Sequence, residues 1–479
     1  MRLGQTSFVV FVTELVSSVL GFAATLYISR TLGAEVLGYY ALALIVANWL
    51  SLLGNVGLGG AITKRLSEGD DPDSYFTAGA LSLVALSVLC GLVIFVFRSP
   101  INAYIGVDAA WFVLLLIGSL LFNGLVTWSL QGDKQVHIAG FLSTVKIGLR
   151  SVVQIALVFA GFGLVGMLVG FATGAVVAGL LGLVFLSVRL RRPRAEHFER
   201  LFDFAKFSWL GNLSGRVFNQ VDILVLGVFV SPVLVGVYSV AWSLTSFVGT
   251  FGSSIRQSTF PELSNASADE RTEAIASMIS ESLAYIGLFA IPGFFGCIVL
   301  ADRLLTLYGD EFTQGATVLA LLVLSMTLWD YTNQLLTSLN AIDRPDRSFR
   351  VNAVFIAVNL ALNVALVVSL GWVGAAIATL VAALVGLVLS YYYLSAVVRF
   401  EVPLGEISRQ VAAAAVMAVV VYGLRRGIES MGLLNHNAAI VAILVAVGGA
   451  TYFALLMTIS ARFRKTLVNN SPVRIPFLS

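Results

Sequence analysis

The chain has 479 residues, of which 58% are hydrophobic and 11% are charged, and its mean hydropathy is +0.93. Soluble domains usually carry about 25% charged residues, so this composition excludes an ordinary soluble protein. The net charge of +3 indicates no partner by itself, and no nucleic-acid partner is expected.

Apolar runs of about 20 residues, each long enough to cross a bilayer core, follow one another along the whole chain. They predict an all-α polytopic membrane protein with about fourteen transmembrane helices, and no cleavable signal peptide is expected because the first run is long and leads into the second. The predicted spans are 7–29, 36–60, 76–97, 109–130, 139–161, 163–188, 208–230, 232–255, 277–300, 316–340, 347–370, 372–396, 407–427 and 437–459.

The basic residues predict the orientation of these spans. With the N-terminus inside, 21 of the 29 lysines and arginines lie on the cytoplasmic side, five lie outside, and three fall within helices. Cytoplasmic loops carry an excess of Lys and Arg, so both termini are predicted to be cytoplasmic.

Two stretches of the sequence resemble each other at fixed offsets. At an offset of 198, Gly38 matches Gly236 and Tyr40 matches Tyr238; at offsets of 208–210, Gly132–Lys134 matches Ile342–Arg344 and Gly163–Gly166 matches Gly371–Gly374. An even number of spans per copy predicts two six-helix lobes related by a pseudo-twofold axis along the membrane normal. The predicted parts are an N-lobe at 1–190, a basic cytoplasmic linker at 191–206, a C-lobe at 207–398, and two extra helices with a cytoplasmic tail at 399–479.

The seventh predicted span carries a polar stripe. At 100° per residue, Ser208, Asn212, Gly215, Arg216, Asn219 and Asp222 share an arc of about 120°. Its repeat partner, the first span, has a similar face made of Thr13, Glu14, Ser17, Ser18, Gly21 and Thr25. Charged side chains inside a membrane usually face a water-filled cavity or a partner, so both stripes are predicted to line a cavity. The alternative for Arg216 and Asp222 is an interhelical ion pair.

Other charged residues lie in or beside predicted helices. Lys146 and Arg150 share a face of the fifth span, where either can extend toward the interface. Asp330 forms a polar face with Asn333 and Gln334, for which a hydrogen-bond network is an equal alternative. Arg30 and Arg256 are predicted to anchor helix ends at lipid headgroups.

Catalytic and metal-binding patterns are absent from the sequence. It contains no phosphate-binding P-loop, no nucleophile elbow and no cysteine or histidine cluster with metal spacing, and Cys90 and Cys297 both fall within apolar runs. The outer loops are short, which disfavours a membrane glycosyltransferase or polymerase. Transport of a substrate is therefore predicted, with no enzymatic activity, no metal and no cofactor.

The chain resembles the polysaccharide-biosynthesis flippases, the Wzx-type lipid-linked oligosaccharide translocases of the multidrug/oligosaccharidyl-lipid/polysaccharide exporter superfamily. The resemblance rests on Ser29–Gly33, Gly38, Tyr40, Ala41, Gly57, Leu58, Lys64, Arg65, Asp222, Gly236–Ala241, Phe260 and Pro261. It implies two lobes around a cavity that carries a polyprenyl-(di)phosphate-linked oligosaccharide to the outer leaflet of the cytoplasmic membrane by alternating access.

The resemblance also implies roles for particular residues. The substrate-binding candidates are Arg216, Asn212, Asn219, Gln220, Arg150 and Arg30, with Arg216 as the cation that receives a phosphate. Relatives couple transport to Na⁺ or H⁺, for which the available carboxylates are Glu14, Asp222 and Asp330. Membrane lipids, glycosyltransferases and a polymerase or oligosaccharyltransferase are the expected partners. The alternatives are an ion-coupled multidrug antiporter of the MATE type, which would favour a cavity rich in carboxylates, and a lipid II flippase.

Overall fold

The computed structural model describes the backbone of residues 3–55, 57–211, 213–269, 271–431 and 436–464, and the side chains of these ranges except 3–18, 53–54 and 206–214. Over those ranges it contains sixteen α-helices, one 3₁₀ helix at Asp310–Gly315 and no strand. The α-helices are α1 Leu3–Asn55, α2 Leu58–Glu68, α3 Pro72–Val96, α4 Arg98–Ile105, α5 Ala110–Gly132, α6 Val136–Phe159, α7 Gly163–Leu183, α8 Ala195–Gly211, α9 Leu213–Phe229, α10 Pro232–Ala268, α11 Thr272–Thr306, α12 Ala316–Ala341, α13 Pro345–Leu370, α14 Trp372–Ser395, α15 Leu404–Met431 and α16 Asn437–Ile459.

Twelve helices within the described residues are long and apolar enough to cross a membrane, so the predicted count of about fourteen is not confirmed. The difference arises at two places. Helix α1 contains most of the first two predicted spans and counts once among the twelve, although Gly33, whose φ and ψ are not helical, separates it into two helical segments. The predicted span at 208–230 contains Asn212, which lies outside the described residues, and α9, described from Leu213, has 17 residues.

A glycine bends α1. Gly33 lies inside the helix with φ 78° and ψ 177°, a backbone conformation that residues with a Cβ atom rarely adopt. The corresponding break in the second copy of the repeat separates α9, which ends at Phe229, from α10, which begins at Pro232. Proline suits that position because its fixed φ starts a helix without using an N–H group.

The chain forms two compact units, Met1–Gly236 and Val237–Ser479. The first, called unit 1 below, contains α1–α9 and the first turn of α10. The second, unit 2, contains the rest of the chain and has its own apolar core, including Leu263, Ile279, Leu339 and Val351. The domain boundaries predicted at 190, 206 and 398 follow the sequence repeat, whereas the boundary after Gly236 follows the compactness of the chain. The predicted boundaries therefore stay a prediction.

The repeat is visible in the local geometry of each unit. Between α5 and α6 the N–H of Gln135 donates to the carbonyl of Leu130, and between α12 and α13 the N–H of Arg344 donates to that of Leu339. Both turns contain a non-glycine residue with positive φ, Lys134 and Asp343. These pairs are 209 positions apart, one fewer than the offset of 210 inferred from the Gly132–Lys134 match. The two copies therefore share the same turn conformation, and the sequence match at this turn was off by one residue.

Two repeat-related glycines pack against each other's helix. A Cβ atom on Gly38 would lie 1.9 Å from the carbonyl oxygen of Pro232, and one on Gly236 would lie 1.9 Å from that of Ala34. The contact is symmetric, because Pro232 and Gly236 are Ala34 and Gly38 shifted by 198. Small residues let helix backbones approach closely inside membranes, so these glycines allow α1 and the first turn of α10 to touch.

The linker predicted at 191–206 is partly helical and packs against other elements of unit 1. His197, at the start of α8, is buried; its Nδ1 accepts the N–H of Arg194 at 3.0 Å and its Nε2 lies 3.3 Å from Asp71 Oδ2. The N–H of Arg189 donates to Asp73 Oδ1 at 2.8 Å. These contacts hold the start of α8 and the segment before it against the loop between α2 and α3 and the first turn of α3.

Candidate functional site

A polar cavity of 480 Å³ lies within unit 1, where α9 faces the junction of α1 and α2. Its floor and walls come from four helices and the loop between α1 and α2. The lining residues are Leu52, Asn55, Gly57, Gly59, Gly60, Trp128, Gly215, Arg216, Asn219 and Gln220. Its size is within the range of small-molecule binding sites.

The N-terminus of α2 opens onto this cavity. Gly57 has φ 79° and turns the chain from α1 into α2, a turn that favours glycine because its φ is positive. The first amides of a helix have no acceptor within the helix, and one of them, that of Gly59, donates to Asn55 Oδ1 at 3.0 Å. A Cβ on Gly59 would lie 2.5 Å from the Trp128 indole, so glycine lets the ring lie against the helix start. The positive end of the helix dipole adds to the field in the cavity.

Arg216 is the one charged residue among the described residues that line the cavity. Its side chain is partly buried, and its Nη1 makes a long contact of 3.5 Å with the backbone carbonyl of Asn48. No carboxylate of the described residues forms an ion pair with its guanidinium. A cavity with one cation, amide groups and an indole suits a ligand that has a negative group and hydroxyls.

The structure divides the predicted polar stripe of α9. Arg216, Asn219 and the neighbouring Gln220 lie together on the cavity, and the Asn219 amide donates to the carbonyl of Gly215 at 2.6 Å. The Oε1 atom of Gln220 is buried and accepts no hydrogen bond from the described residues. Asp222 is only 3% exposed and is not among the residues that line this cavity. The stripe therefore has a cavity side and a buried side.

Four other candidates are not among the described residues that line this cavity. Asn212 and the side chain of Glu14 fall outside the described residues. Arg30 is exposed, three residues before the bend at Gly33, and Arg150 lies on α6; neither is among the residues lining the Arg216 cavity.

Asp330, predicted as an ion-coupling candidate, is 1% exposed and pairs with Arg256 in unit 2. The distance from Arg256 Nη1 to Asp330 Oδ1 is 2.7 Å, whereas Asp330 Oδ2 is buried without a hydrogen-bond partner among the described residues. The expectation that Arg256 anchors a helix end was wrong, because α10 continues to Ala268 and the guanidinium turns inward. A glycine makes room for the pair: a Cβ on Gly252 would lie 2.6 Å or less from the carboxylate atoms.

Sequence reasoning missed the side of the cavity opposite Arg216. It placed 36–60 in one span and did not predict the break at Gly57 or the short helix α2. The stretch from Gly54 to Gly60 (GNVGLGG) contains four glycines in seven residues and was the available signal, because glycine is unfavourable inside a helix. Trp128 carried no signal, since its position on the cavity depends on tertiary packing.

The fold and the site define a polytopic membrane protein with a polar, cationic cavity in one unit, and comparison with known proteins places the chain in a family. It belongs to the family described as "Polysaccharide biosynthesis protein", whose model matches residues 27–317. The chain is 30% identical over 474 residues to a protein of Haloferax volcanii named "Probable flippase AglR", and the match covers 97% of each chain. It is 29% identical to "Probable low-salt glycan biosynthesis flippase Agl15" of the same organism, over 90% of this chain and 92% of the relative.

Solved structures confirm the fold. A lipid II flippase, MurJ, in an inward closed conformation matches with a TM-score of 0.80 at 14% identity, covering 96% of this chain and all of the other. An inward-facing MATE multidrug transporter matches with a TM-score of 0.64 at 19% identity, covering 79% of this chain and 94% of the other. The predicted all-α polytopic membrane fold is therefore confirmed, whereas sequence identities this low give no information about the substrate.

Proposed function

We propose that the protein is a flippase that moves a polyprenyl-(di)phosphate-linked oligosaccharide from the inner to the outer leaflet of the cytoplasmic membrane by alternating access. The observation that carries the proposal is Arg216, a guanidinium without a carboxylate partner in the described residues, on a polar cavity in unit 1. The names of the Haloferax relatives, both probable flippases and one assigned to glycan biosynthesis, support it.

The chemistry of the cavity matches the head of such a substrate. A lipid-linked phosphate cannot cross hydrocarbon without compensation of its charge, and a guanidinium binds phosphate oxygens through two parallel hydrogen bonds. The α2 N-terminus adds a positive dipole end. The amides of Asn55, Asn219 and Gln220 can hydrogen-bond to sugar hydroxyls, and Trp128 offers an indole N–H and a ring face.

The same cavity disfavours the multidrug antiporter, since a cationic drug would face Arg216 with no carboxylate among the described lining residues. The non-enzymatic role, the cytoplasmic termini and the action beside glycosyltransferases and a polymerase or oligosaccharyltransferase belong to this proposal. Coupling of transport to Na⁺ or H⁺ through Glu14, Asp222 or Asp330 is also part of this proposal. The structure describes the side chains of Asp222 and Asp330, and Asp330 is paired with Arg256.

The test replaces the guanidinium in cells that depend on this protein for surface glycan. Arg216→Gln is expected to reduce surface glycan at least about tenfold, because a charge-assisted hydrogen bond contributes about 1.5–3 kcal/mol. Arg216→Lys keeps the positive charge but loses the planar guanidinium that makes two parallel hydrogen bonds, so it should restore export in part. Lipid-linked glycan should accumulate in the inner leaflet of the Gln strain at normal protein levels. Normal surface glycan in that strain would remove Arg216 from the site.

A further inference from the structure

Two cations lie one turn apart in unit 1, away from the Arg216 cavity. Lys146 and Arg150 are both partly exposed on α6, a helix apolar and long enough to span a membrane. Lys146 Nζ reaches Asn123 Oδ1 at 3.5 Å, and the Arg150 guanidinium lies 5.4 Å from the ring centre of Phe171. Neither cation forms an ion pair with a carboxylate of the described residues, and the Nε atom of Arg150 is buried without a hydrogen-bond partner there.

This arrangement is unfavourable without a further group. A charged side chain near the bilayer centre costs about 2.5–3.5 kcal/mol on insertion scales. Like charges four residues apart on a helix also repel each other. An amide contact at 3.5 Å and a cation–π contact of about 0.5–2 kcal/mol offset only part of this. The rest of the cost of the two positive charges must be offset by a negatively charged group that contacts Lys146 and Arg150.

The repeat indicates that the fold itself does not require these charges. At the structural offset of 209, Lys146 corresponds to Phe355, which is fully buried, and Arg150 corresponds to Asn359. In unit 2, Asn359 donates to Thr379 Oγ1 at 3.3 Å, a neutral contact where unit 1 has Arg150 against Phe171. The same place between α6 and α7, or between α13 and α14, therefore packs well with neutral residues.

The helix that carries the two cations is closely packed against its neighbours. The Gln154 amide nitrogen donates to Tyr40 Oη at 2.9 Å and to the carbonyl of Met167 at 2.7 Å. Helix α7 lies close beneath, since a Cβ on Gly174 would be 2.9 Å from Arg150 Cβ. An ammonium and a guanidinium one helical turn apart on a closely packed helix form a suitable receptor for a small oxyanion.

We infer that Lys146 and Arg150 form a second anion site, which binds a phosphate or carboxylate group. The inference deepens the proposed function, on which its assignment to the substrate rests: the group is an acidic sugar or a phosphate of the lipid-linked glycan, bound at a place separate from Arg216. An inorganic oxyanion of the cytoplasm is the other source of the same chemistry, and the experiment separates the two.

The experiment measures the thermal-unfolding midpoint of the purified full-length protein with three probes: sodium sulfate, sodium glucuronate and dolichyl phosphate. The variants are Lys146→Met and Arg150→Asn, the latter chosen because asparagine occupies the equivalent place in unit 2. Lys146→Arg is the matched control that keeps the charge. Comparison of variants at equal ionic strength cancels the general stabilisation of folded proteins by sulfate.

The site predicts two results. Each neutral variant should weaken the apparent affinity for at least one probe about tenfold or more, and Lys146→Arg should not. Without a probe, Lys146→Met should unfold at a higher temperature than the wild type, because an unneutralised charge is removed. Stabilisation by glucuronate or dolichyl phosphate identifies the substrate as the source, and stabilisation by sulfate alone identifies an inorganic ion.

Unchanged probe affinity in both neutral variants, or a lower midpoint for Lys146→Met without a probe, would overturn the inference and make the pair structural. Arg150→Asn gives the same readout should Lys146→Met not fold. These measurements need no export assay. A failure of the Arg216→Gln export test would therefore reject the proposed function without deciding whether Lys146 and Arg150 bind an anion.

Discussion

The stability of unit 2 depends more strongly on its buried ion pair than on ion pairs at the surface. Asp330 and Arg256 are joined at 2.7 Å, and their side chains are 2% and 19% exposed. Removing one member of a buried pair leaves an uncompensated charge, which destabilises proteins by about 3–5 kcal/mol.

Arg256→Gln is therefore expected to lower the stability of the folded protein by about 3–5 kcal/mol, measured as a marked fall of the thermal-unfolding midpoint. The double variant Arg256→Gln/Asp330→Asn should recover part of the loss, because no charge stays buried. Arg271→Gln is the control, since its ion pair with Asp269 is exposed and should contribute less than about 1 kcal/mol. A double variant no more stable than the single one would show that the loss is not a matter of charge.

The sequence predicted the position of a side chain better where the periodic pattern of its own helix determines that position. The period of 3.6 correctly grouped Arg216 and Asn219 on one face of α9, whereas Asp222 shared the calculated arc but is buried. The inward turn of Arg256 depends on a carboxylate 74 positions away and on the space left by Gly252. No local pattern contains that information.

At the scale of elements, α8 is held to the loop between α2 and α3 by a small charged cluster around Asp71. The carboxylate pairs with Arg191 at 3.2 Å and with His197 at 3.3 Å. A hydrogen bond from Ser74 lowers the pKa of Asp71 below its usual range, and the positive charge of Arg191 lowers it further. A carboxyl group whose pKa is lowered on folding stabilises the folded state above its unfolded pKa of about 3.9 and loses that contribution as the pH falls through the folded pKa.

Asp71→Asn is expected to loosen α8 by less than about 1 kcal/mol, because the cluster is partly exposed. Hydrogen–deuterium exchange at pH 7 should be faster in α8 of the variant than in the wild type. The difference between their unfolding midpoints should shrink as the pH falls below about 4, where the wild-type carboxylate becomes protonated. Glu199→Gln, an exposed substitution on the same helix, should leave exchange unchanged. A difference that persists at low pH would assign the effect to packing rather than to charge.

Elements with long, regular patterns were predicted well, and broken ones were not. Spans such as α5 and α14 follow from unbroken apolar runs of bilayer length. The short α2 and the linker helix α8 were missed because they are amphipathic and short, and their helical state depends on docking. The cavity lies beside one of these missed elements, so its α2 side could not be predicted from hydropathy.

At the scale of the whole molecule, two repeat-related glycines of unit 1 allow a test of the contact between α1 and the first turn of α10. Gly38→Ala and Gly236→Ala each place a methyl group 1.9 Å from a carbonyl oxygen, so the helices must separate. Overpacking of this kind destabilises by about 1–3 kcal/mol or more, and both variants should lower the unfolding midpoint and the yield of folded protein by similar amounts.

Gly118→Ala provides the control, because a Cβ at that exposed helical position meets no atom within 4 Å. It should be neutral or stabilise by up to about 1 kcal/mol, since alanine favours helices. Equal behaviour of Gly38→Ala and Gly118→Ala would contradict the close packing of α1 on the first turn of α10.

The bend in α1 and the start of α10 show that one change of backbone direction can be made in two ways. One copy of the repeat turns at a lone glycine with a non-helical backbone, whereas the other ends one helix at Phe229 and begins the next at Pro232, at the matching place in the alignment. The place of the turn is common to both copies, although the residues that make it differ. Comparing the points where the backbone changes direction therefore pairs elements that a residue-by-residue comparison of the two copies leaves unmatched.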